Sequence, residues 1–225
     1  MKDLEELIKQ RGRESAQAQE EFCSSSSGMI LNVVDSLVKV LRSGGKILVL
    51  GNGGSAADAQ HFAAELIGRF LMERHPLACI ALTTDTSVIT SISNDYSFDQ
   101  IFSKQVEALG KEGDAIIAIS TSGASPNVLK ALERANVLSL LTIGLTGGDS
   151  EQMASLCDFC LNVDSSFTPR VQEVHHLVLH IISELLEIRL FTTHKPVDTY
   201  NDPFAFFDIH LLAVGGSGDL TLEPA

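Results

Sequence analysis

Two sets of polar side chains have the spacing that one face of a helix requires. His61 and Glu65 are four residues apart in GNGGSAADAQHFAAEL, and Gln172, His176 and His180 recur at four-residue intervals in RVQEVHHLVLH. Residues four apart are neighbours on a helix surface. A carboxylate can remove a proton from carbon and an imidazole can exchange protons near neutral pH, so the two stripes together predict acid–base chemistry. For each stripe alone, a surface pair or a packed core histidine is the simpler alternative.

A group of hydroxyl side chains follows the apolar run DAIIAI. The segment STSGASPN supplies Ser120, Thr121, Ser122 and Ser125. With the free N–H groups at the start of the next helix, these hydroxyls predict a site for a phosphomonoester. Capping of that helix by Ser125 and Pro126 is the alternative, but it explains only one of the serines. Ser55, at the start of the helix after the glycine loop, is placed to reach the same anion.

The glycine loop GNGGS is also compatible with a nucleotide. Gly51, Gly53 and Ala56 satisfy the loose dinucleotide pattern after a predicted strand. The next strand ends near Leu82, however, where two threonines stand in place of a ribose-binding acid, and no GKS or GKT follows the glycines. We therefore expect no nucleotide cofactor.

The elements that position these residues are predicted from the apolar pattern. Five short apolar runs lack polar alternation, which indicates parallel strands covered on both faces and hence an α/β sandwich. They occupy residues 46–50, 77–82, 114–119, 139–145 and 158–163. Two helices are expected before the sheet, within residues 1–44, the first over 3–22 and the second introduced by the serines 24–27 and stopped at Gly44–Gly45. A last core helix is expected over 168–189, beginning at Thr168–Pro169.

Length and charge limit the function classes. The 225 residues predict a single domain over 1–190, which includes the N-terminal helices, and a C-terminal extension over 191–225 without an assigned role. A net charge of −13 argues against binding to nucleic acid or to an anionic membrane. The N-terminus lacks the apolar core of a signal peptide and no run is long enough to span a membrane, so we expect a cytoplasmic protein.

A single CxxC pair does not form a recognisable metal or redox motif. Cys157 and Cys160 lie in the apolar stretch LCDFCLNV. A zinc ribbon needs a second pair, and alternation along a strand directs the two thiols to opposite faces. We expect buried, reduced thiols.

Four segments together resemble the sugar isomerase (SIS) domain, and specifically the phosphoheptose isomerases. The segments are GNGGSAADAQHFAAEL, SNDYSFDQIFSKQVEALGKEGD, AISTSGASPNVLKAL and RVQEVHHLVLH, in this order and spacing. The resemblance extends from about residue 3 to residue 189. It implies a five-stranded flavodoxin-like sheet and a homotetramer with sites at subunit contacts. It also implies conversion of sedoheptulose 7-phosphate to D-glycero-D-manno-heptose 7-phosphate through an enediol, for the heptose of bacterial lipopolysaccharide or a related glycoconjugate.

The resemblance also implies a role for each site residue. The phosphate would be held by Ser55, Ser120, Thr121, Ser122 and Ser125. The sugar would be lined by Asn52, Gly53, Gly54, Glu65, Asn94, Asp95 and Gln172. Glu65 and His180 would be the proton-transfer pair. Zinc would be held by His61, Glu65, Gln172 and His180. His176 has no role in the resemblance, and it is either packed or competes with His180 as a ligand.

Other functions of the same fold remain as alternatives. A non-catalytic SIS-domain tetramer that binds the bacterial replication initiator would not need an acid and a base, so Glu65 and His180 favour the enzyme. A sugar-phosphate-sensing transcriptional regulator would need a DNA-binding module, whereas the segment before residue 45 has no basic face. A dinucleotide-dependent oxidoreductase is the last alternative.

Overall fold

The computed structural model describes residues 2–192. Met1 and residues 193–225 lie outside the described part, and with them almost all of the predicted extension 191–225. The described residues up to Leu190 belong to one compact unit. Among the described residues, no helix combines the length and the apolar character that crossing a membrane requires.

Five parallel strands form one sheet, as predicted. They are β1 (Ile47–Gly51), β2 (Cys79–Ala81), β3 (Ala115–Ser120), β4 (Leu141–Gly147) and β5 (Phe159–Val163). Their order is β2-β1-β3-β4-β5, which is the flavodoxin-like order. The edge strand β2 has only three residues, fewer than the predicted run 77–82.

Helices cover both faces of the sheet and make the fold a three-layer sandwich. They are α1 (Lys2–Arg42), α2 (Gly54–Ile67), α3 (Thr86–Asp95), α4 (Ile101–Leu109), α5 (Pro126–Val137), α6 (Glu151–Ala154) and α7 (Thr168–Phe191). Alternate strand residues face opposite layers. Val49 and Ile117 pack with α1, α2 and α7, whereas Leu48 and Ile116 pack with α4 and α5. Both faces of the sheet are therefore buried, which explains the absence of polar alternation in the strands.

The expectation of two N-terminal helices is wrong, because α1 runs unbroken through the serines 24–27. The hydroxyl of Ser25 donates to the carbonyls of Glu21 and Phe22, so this serine bonds within the helix instead of ending it. Phe22 and Ile30, on either side of the serines, are buried in the same core. The predicted stop at Gly44 is confirmed: its φ is +83°, and the helix ends at Arg42.

The two thiols of the CxxC pair do not point to opposite faces. Cys157 precedes β5 and Cys160 lies within it, and both are half-buried free cysteines. A methyl group placed on Gly144 of the neighbouring β4 would lie 2.8 Å from the sulfur of Cys157 and 3.7 Å from that of Cys160. Burial raises the pKa of Cys157 to about 12 and also raises the pKa of Cys160, so both thiols stay protonated.

The loops after β1 and β3 meet at the point where the strand order reverses. β1 and β3 pair in register from Ile47 opposite Ala115 to Gly51 opposite Ile119, so their carboxyl ends lie together. In the sheet, β2 lies next to β1 on one side of this pair, and β4 lies next to β3 on the other side. In open α/β sheets, ligands bind in the crevice at such a switch point. The glycine loop and the hydroxyl-rich loop are therefore both at the expected ligand position.

Candidate active site

The polar stripes of α2 and α7 face each other. His61 connects them, because its Nε2 lies 2.7 Å from Nε2 of His180 on α7 and 3.5 Å from Oε1 of Glu65 on α2. The side chains of His61 and Glu65 are partly exposed, at 35% and 21%. The predicted acid and base are thus brought together through an intervening imidazole within one chain.

His176 belongs to the same group of rings and is not a core histidine. Its ring stacks on that of His61, with centroids 4.8 Å apart, and meets the ring of His180 edge-on at 4.5 Å. Its side chain is 44% exposed. One nitrogen from each of the three histidines can be chosen so that all three lie within 4.8 Å of one another.

A buried carboxylate that the sequence analysis did not single out lies one turn before His61. Asp58 is 7% exposed, and its two oxygens meet two side chains of α7. Oδ1 is 3.1 Å from Nδ1 of His176, and Oδ2 is 3.4 Å from Nε2 of Gln172. The stripe on α2 therefore starts at Asp58, and a cleft of about 460 Å³ opens beside Asp58, Gln172 and His176.

Gln172 lies directly against the glycine loop. A methyl group on Gly54, the first residue of α2, would be 2.0 Å from Nε2 of Gln172. The glycine at this position therefore makes room for the amide of Gln172. Its neighbour Gly53 has a φ of +56°, a conformation that also favours glycine.

His180 is surrounded by aromatic rings and partly shielded from water. The ring of Phe70 stacks on it with centroids 5.4 Å apart. Burial lowers the pKa of His180, and the neighbouring His176 and His61 lower it further, while Glu65 partly opposes them. These surroundings favour the neutral imidazole.

A fully buried ion pair fixes the segment that carries Phe70. The side chains of Arg74 and Glu187 are both 1% exposed, with Nε and Oε1 3.0 Å apart. Glu187, on α7, accepts hydrogen bonds from the N–H groups of Phe70, Leu71 and Met72. Arg74 donates to the carbonyls of Glu65 and Leu66 at the end of α2. The pair therefore ties the end of α2 and the following loop to α7.

The hydroxyl-rich loop has the composition of an anion site and is not explained by helix capping. Ser125 is the N-cap residue of α5, but within the described structure its hydroxyl does not bond the helix start. It instead lies 3.1 Å from the hydroxyl of Ser120, which is 5% exposed. Thr121 is half-buried, and Ser122 is exposed with its Oγ 3.3 Å from the N–H of Ala124.

The glycine loop and the hydroxyl-rich loop are joined by a pair of amides. Asn52 and Asn127 exchange two side-chain hydrogen bonds of 2.8 and 2.9 Å. Asn127 is 2% exposed. Ser55, on the first turn of α2, is also buried. This link holds the two loops at the sheet edge in a fixed relation.

Comparison with known proteins identifies the family of this chain. Residues 12–147 match the SIS domain family. A phosphoheptose isomerase from Nitratidesulfovibrio vulgaris is 45% identical over 195 residues, which are 87% of this chain and 94% of that protein. The chain belongs to the SIS domain family and, within it, to the phosphoheptose isomerases.

Two further comparisons support the membership of this chain in the family. A phosphoheptose isomerase from Geotalea uraniireducens is 57% identical over 162 residues, which are 72% of this chain and 86% of that protein. The solved structure of phosphoheptose isomerase from Neisseria gonorrhoeae has a TM-score of 0.78 at 43% identity, and the match covers 82% of this chain and 98% of that one. The resemblance predicted from the four sequence segments is confirmed.

Among the described residues of one chain, two predicted sugar-binding residues have no side-chain hydrogen bond to the rest of the site. Asn94 and Asp95, near the end of α3, are exposed, and the side-chain hydrogen bond of Asn94 is to Asp95 itself, at 2.9 Å. Their predicted contact with the sugar stays a prediction.

Asp58, Asn127 and His175 lie next to the site and are not among the predicted site residues. Asp58 precedes His61 by three residues and Glu65 by seven, so its helical spacing was a usable signal. Asn127 had no such signal, because its partner Asn52 is 75 positions away. His175 is the buried histidine of α7, at 1% exposure, and its Nε2 donates to the carbonyl of Thr146. Burial lowers the pKa of His175.

The histidine group has the donors that a transition metal requires. Tetrahedral zinc with bonds of about 2.0–2.1 Å to nitrogen needs donor atoms roughly 3.3 Å apart. The Nε2 atoms of His61 and His180 are 2.7 Å apart. One nitrogen from each of His61, His176 and His180 can be chosen so that all three lie within 4.8 Å of one another. These three residues therefore offer nitrogen donors for such an ion.

Proposed function

We propose that this chain is an aldose–ketose isomerase that converts sedoheptulose 7-phosphate to D-glycero-D-manno-heptose 7-phosphate, for the heptose of a lipopolysaccharide or related glycoconjugate. The observation that carries the proposal is the juxtaposition of Glu65 and His180 across His61, beside the loops at the β1/β3 switch point. The isomerase names of the relatives support the choice of substrate.

The reaction moves the carbonyl from C2 to C1 and needs one base for carbon and one proton carrier for oxygen. Glu65 accepts the proton from C1 while His180 donates a proton to the carbonyl oxygen on C2, which gives the enediol. Glu65 then returns its proton to C2 as the hydroxyl on C1 gives its proton back to His180. The proton count is balanced over the cycle. Each positioned acid or base typically increases the reaction rate by about 10²- to 10⁴-fold.

The two loops are proposed to hold the rest of the substrate. The phosphate is assigned to Ser55, Ser120, Thr121, Ser122 and Ser125. Two observations support this assignment: Ser120 is buried, and the hydroxyl of Ser125 does not cap α5. The sugar is assigned to Asn52, Gly53, Gly54, Asn94, Asp95 and Gln172. The position of Gln172 between Gly54 and Asp58 supports its assignment as a sugar-binding residue.

Zinc is proposed as the metal of the histidine group. The set that the resemblance implies is His61, Glu65, Gln172 and His180, and the first and last of these lie in the group. When bound, the ion would polarise the substrate carbonyl and stabilise negative charge on the enediolate.

Assembly and location complete the proposal. A homotetramer with sites at subunit contacts is supported by the exposure, in one chain, of Asn94, Asp95, Tyr96 and Phe98 at the end of α3 and just after it. The cytoplasmic location stays a prediction from the sequence.

The experiment is an NMR time course with sedoheptulose 7-phosphate and zinc supplied. Glu65→Gln and His180→Gln should each lose about 10²-fold or more of the turnover, since each removes one proton carrier. The matched controls are Glu73→Gln and His75→Gln, two exposed residues just beyond α2, which should keep the wild-type rate.

Folded wild-type protein that forms no aldose phosphate under these conditions would refute the isomerase. Wild-type rates in both Glu65→Gln and His180→Gln would refute the assignment of the acid and base. The alternative of a tetramer that binds the replication initiator is not favoured, since the relatives compared above are named as isomerases.

A further inference from the structure

A buried hydroxyl at the carboxyl end of β4 has no hydrogen-bond partner. Thr146 is fully buried, and its Oγ1 bonds no other group among residues 2–192. An unpaired polar group is costly to bury, so native structures keep few of them. Valine has nearly the same shape and would avoid this cost. Packing of the core therefore does not account for the hydroxyl at this position.

The hydroxyl of Thr146 lies directly against the hydroxyl-rich loop. A methyl group on Gly123 would be 2.8 Å from Oγ1 of Thr146. Gly123 has a φ of +63° and forms the turn between β3 and α5. Ser120, the last residue of β3, pairs in register with Thr146. The unpaired hydroxyl is thus next to the backbone of the loop to which the phosphate is assigned.

The backbone of Thr146 is fixed to α7. Nε2 of His175 donates to the carbonyl of Thr146 at 3.0 Å, and His175 is 1% exposed. The next residue, Gly147, also packs against α7, since a methyl group there would be 2.7 Å from both γ-carbons of Val171. The end of β4 is therefore a rigid support, from which the side chain of Thr146 reaches the loop.

A hydroxyl in this position can determine which way the peptides of the loop point. The C=O and N–H groups of a trans peptide point in opposite directions. A loop carbonyl that accepts a hydrogen bond from Thr146 therefore directs the N–H group of the same peptide away from β4. Oriented backbone N–H groups bind anions at such turns. In the structure, the N–H of Ala124 lies 3.3 Å from Oγ of Ser122, inside the loop.

We propose that Thr146 is a positioning residue of the phosphate site. When an anion is bound, its hydroxyl donates to the carbonyl of Gly123 and so directs the N–H of Ala124 to that anion. The hydroxyl of Ser122 then loses the N–H of Ala124 and turns to the phosphate. The inference rests on the proposed assignment of the phosphate to this loop, and it adds a residue of β4 that acts through the backbone without touching the substrate.

Variants that separate the hydroxyl of Thr146 from its methyl group test the proposal. Thr146→Val keeps the shape and removes the hydroxyl, whereas Thr146→Ser keeps the hydroxyl and removes the methyl group. Thr142→Val is the matched control. Thr142 is also buried, lies four residues earlier on the same face of β4, and donates its hydroxyl to Oδ2 of Asp158 at 3.0 Å.

Three measurements are made on the full chain. Binding of inorganic phosphate is followed by the NMR shifts of the backbone amides of Gly123 and Ala124. Thermal unfolding reports on stability. Steady-state kinetics with sedoheptulose 7-phosphate separate KM from kcat.

Thr146→Val should weaken phosphate binding by about 3- to 10-fold, the usual effect of losing one hydrogen bond. Its KM should rise by a similar factor with kcat close to that of the wild type, and its unfolding temperature should stay the same or rise. Thr146→Ser should bind phosphate like the wild type but unfold at a lower temperature, because a buried methyl group is lost. Thr142→Val should also unfold at a lower temperature, with unchanged phosphate binding.

Two results in the variants would overturn the proposal. One is a Thr146→Val protein that binds phosphate as tightly as the wild type; the other is a Thr146→Ser protein that loses as much affinity as Thr146→Val. Wild-type protein in which phosphate shifts neither amide also overturns it. Failure of the isomerase proposal would be seen separately, as the expected pattern of phosphate binding in a protein without turnover.

Discussion

Gly54 lies where the first turn of α2 meets the side chain of Gln172. A methyl group there would be 2.0 Å from Nε2 of Gln172 and 2.8 Å from its Oε1. The obstacle is the end of a flexible side chain, which can move away. At Gly51 the obstacle is different, because a methyl group would lie 2.8 Å from the backbone oxygen of Ser55, which cannot move without shifting the helix.

These contacts separate a functional glycine from a structural one. Gly54→Ala should fold with nearly wild-type stability but displace the amide of Gln172 from Asp58, which raises KM for the sugar phosphate. Gly51→Ala should instead lower the unfolding temperature. Steady-state kinetics and thermal unfolding of both variants measure the two effects.

A double-mutant cycle checks the cause of the change in KM. In a Gln172→Ala background, the additional Gly54→Ala substitution should have little further effect on KM, because the displaced group is already absent. Equal effects of Gly54→Ala in both backgrounds would show that Gln172 does not mediate them.

At the scale of elements, the site depends on how α2 is held against α7. The buried pair of Arg74 and Glu187 makes this connection, and Arg74 also caps the last carbonyls of α2. Glu187 accepts hydrogen bonds from the N–H groups of Phe70 and Met72. The ion pair therefore also sets the position of the Phe70 ring against His180.

Arg74→Met should destabilise the protein by about 3–5 kcal/mol, because it leaves a buried carboxylate without its countercharge. It should also lower turnover, since Phe70 and the end of α2 lose a common anchor. Urea unfolding and the isomerase assay measure the two effects. Arg69→Met is the control: its pair with Glu73 is exposed, at 57% and 75%, and its loss should change stability little. Similar unfolding midpoints for the two variants would contradict this role of Arg74.

The sequence was sufficient to predict the order of the strands along the chain and the approximate bounds of the strands and of α7. Continuous apolar runs identify strands buried on both faces, and all five are present. The division of α1 was mispredicted because serines favour helix starts, whereas the buried Phe22 and Ile30 require one continuous helix. Tertiary packing outweighed a local preference at this point.

The site was predictable where it follows helical spacing and not where it depends on contacts between elements. His61 and Glu65, like Gln172 and His180, show their common face in the sequence. The hydrogen bonds that support the site join distant positions, such as Asn52 with Asn127 and Arg74 with Glu187. A single sequence gives no signal for such pairs.

At the scale of the whole molecule, the first turns of α1 have an apolar surface that the described chain leaves uncovered. Leu4, Leu7 and Ile8 are 65%, 41% and 72% exposed, and their spacing places them on one face of the helix. Farther along α1, Val33 and Leu37 are fully buried in the core. The outer end of this 41-residue helix is therefore the part of α1 best suited to contact another subunit in the proposed homotetramer.

Replacing this surface should disrupt the assembly. The double variant Leu4→Glu and Ile8→Glu puts two charges on the apolar face, and burying unpaired charges in a subunit contact is unfavourable. Sedimentation or light scattering should show a tetramer for the wild type and smaller species for the variant. If subunit contacts complete the site, turnover should fall in parallel, while the circular dichroism of the separated chains stays close to that of the wild type.

Val137→Glu is the matched control for that experiment, because Val137 is an exposed apolar residue, at 70%, on α5 instead of α1. It should leave both mass and turnover unchanged. A tetramer that survives the α1 substitutions would assign the contact to another surface, and a monomeric wild type with full turnover would reject shared sites altogether. Mass and rate measured on the same samples thus decide whether the acid and base found within one chain act alone or need a second subunit to supply residues such as Asn94 and Asp95.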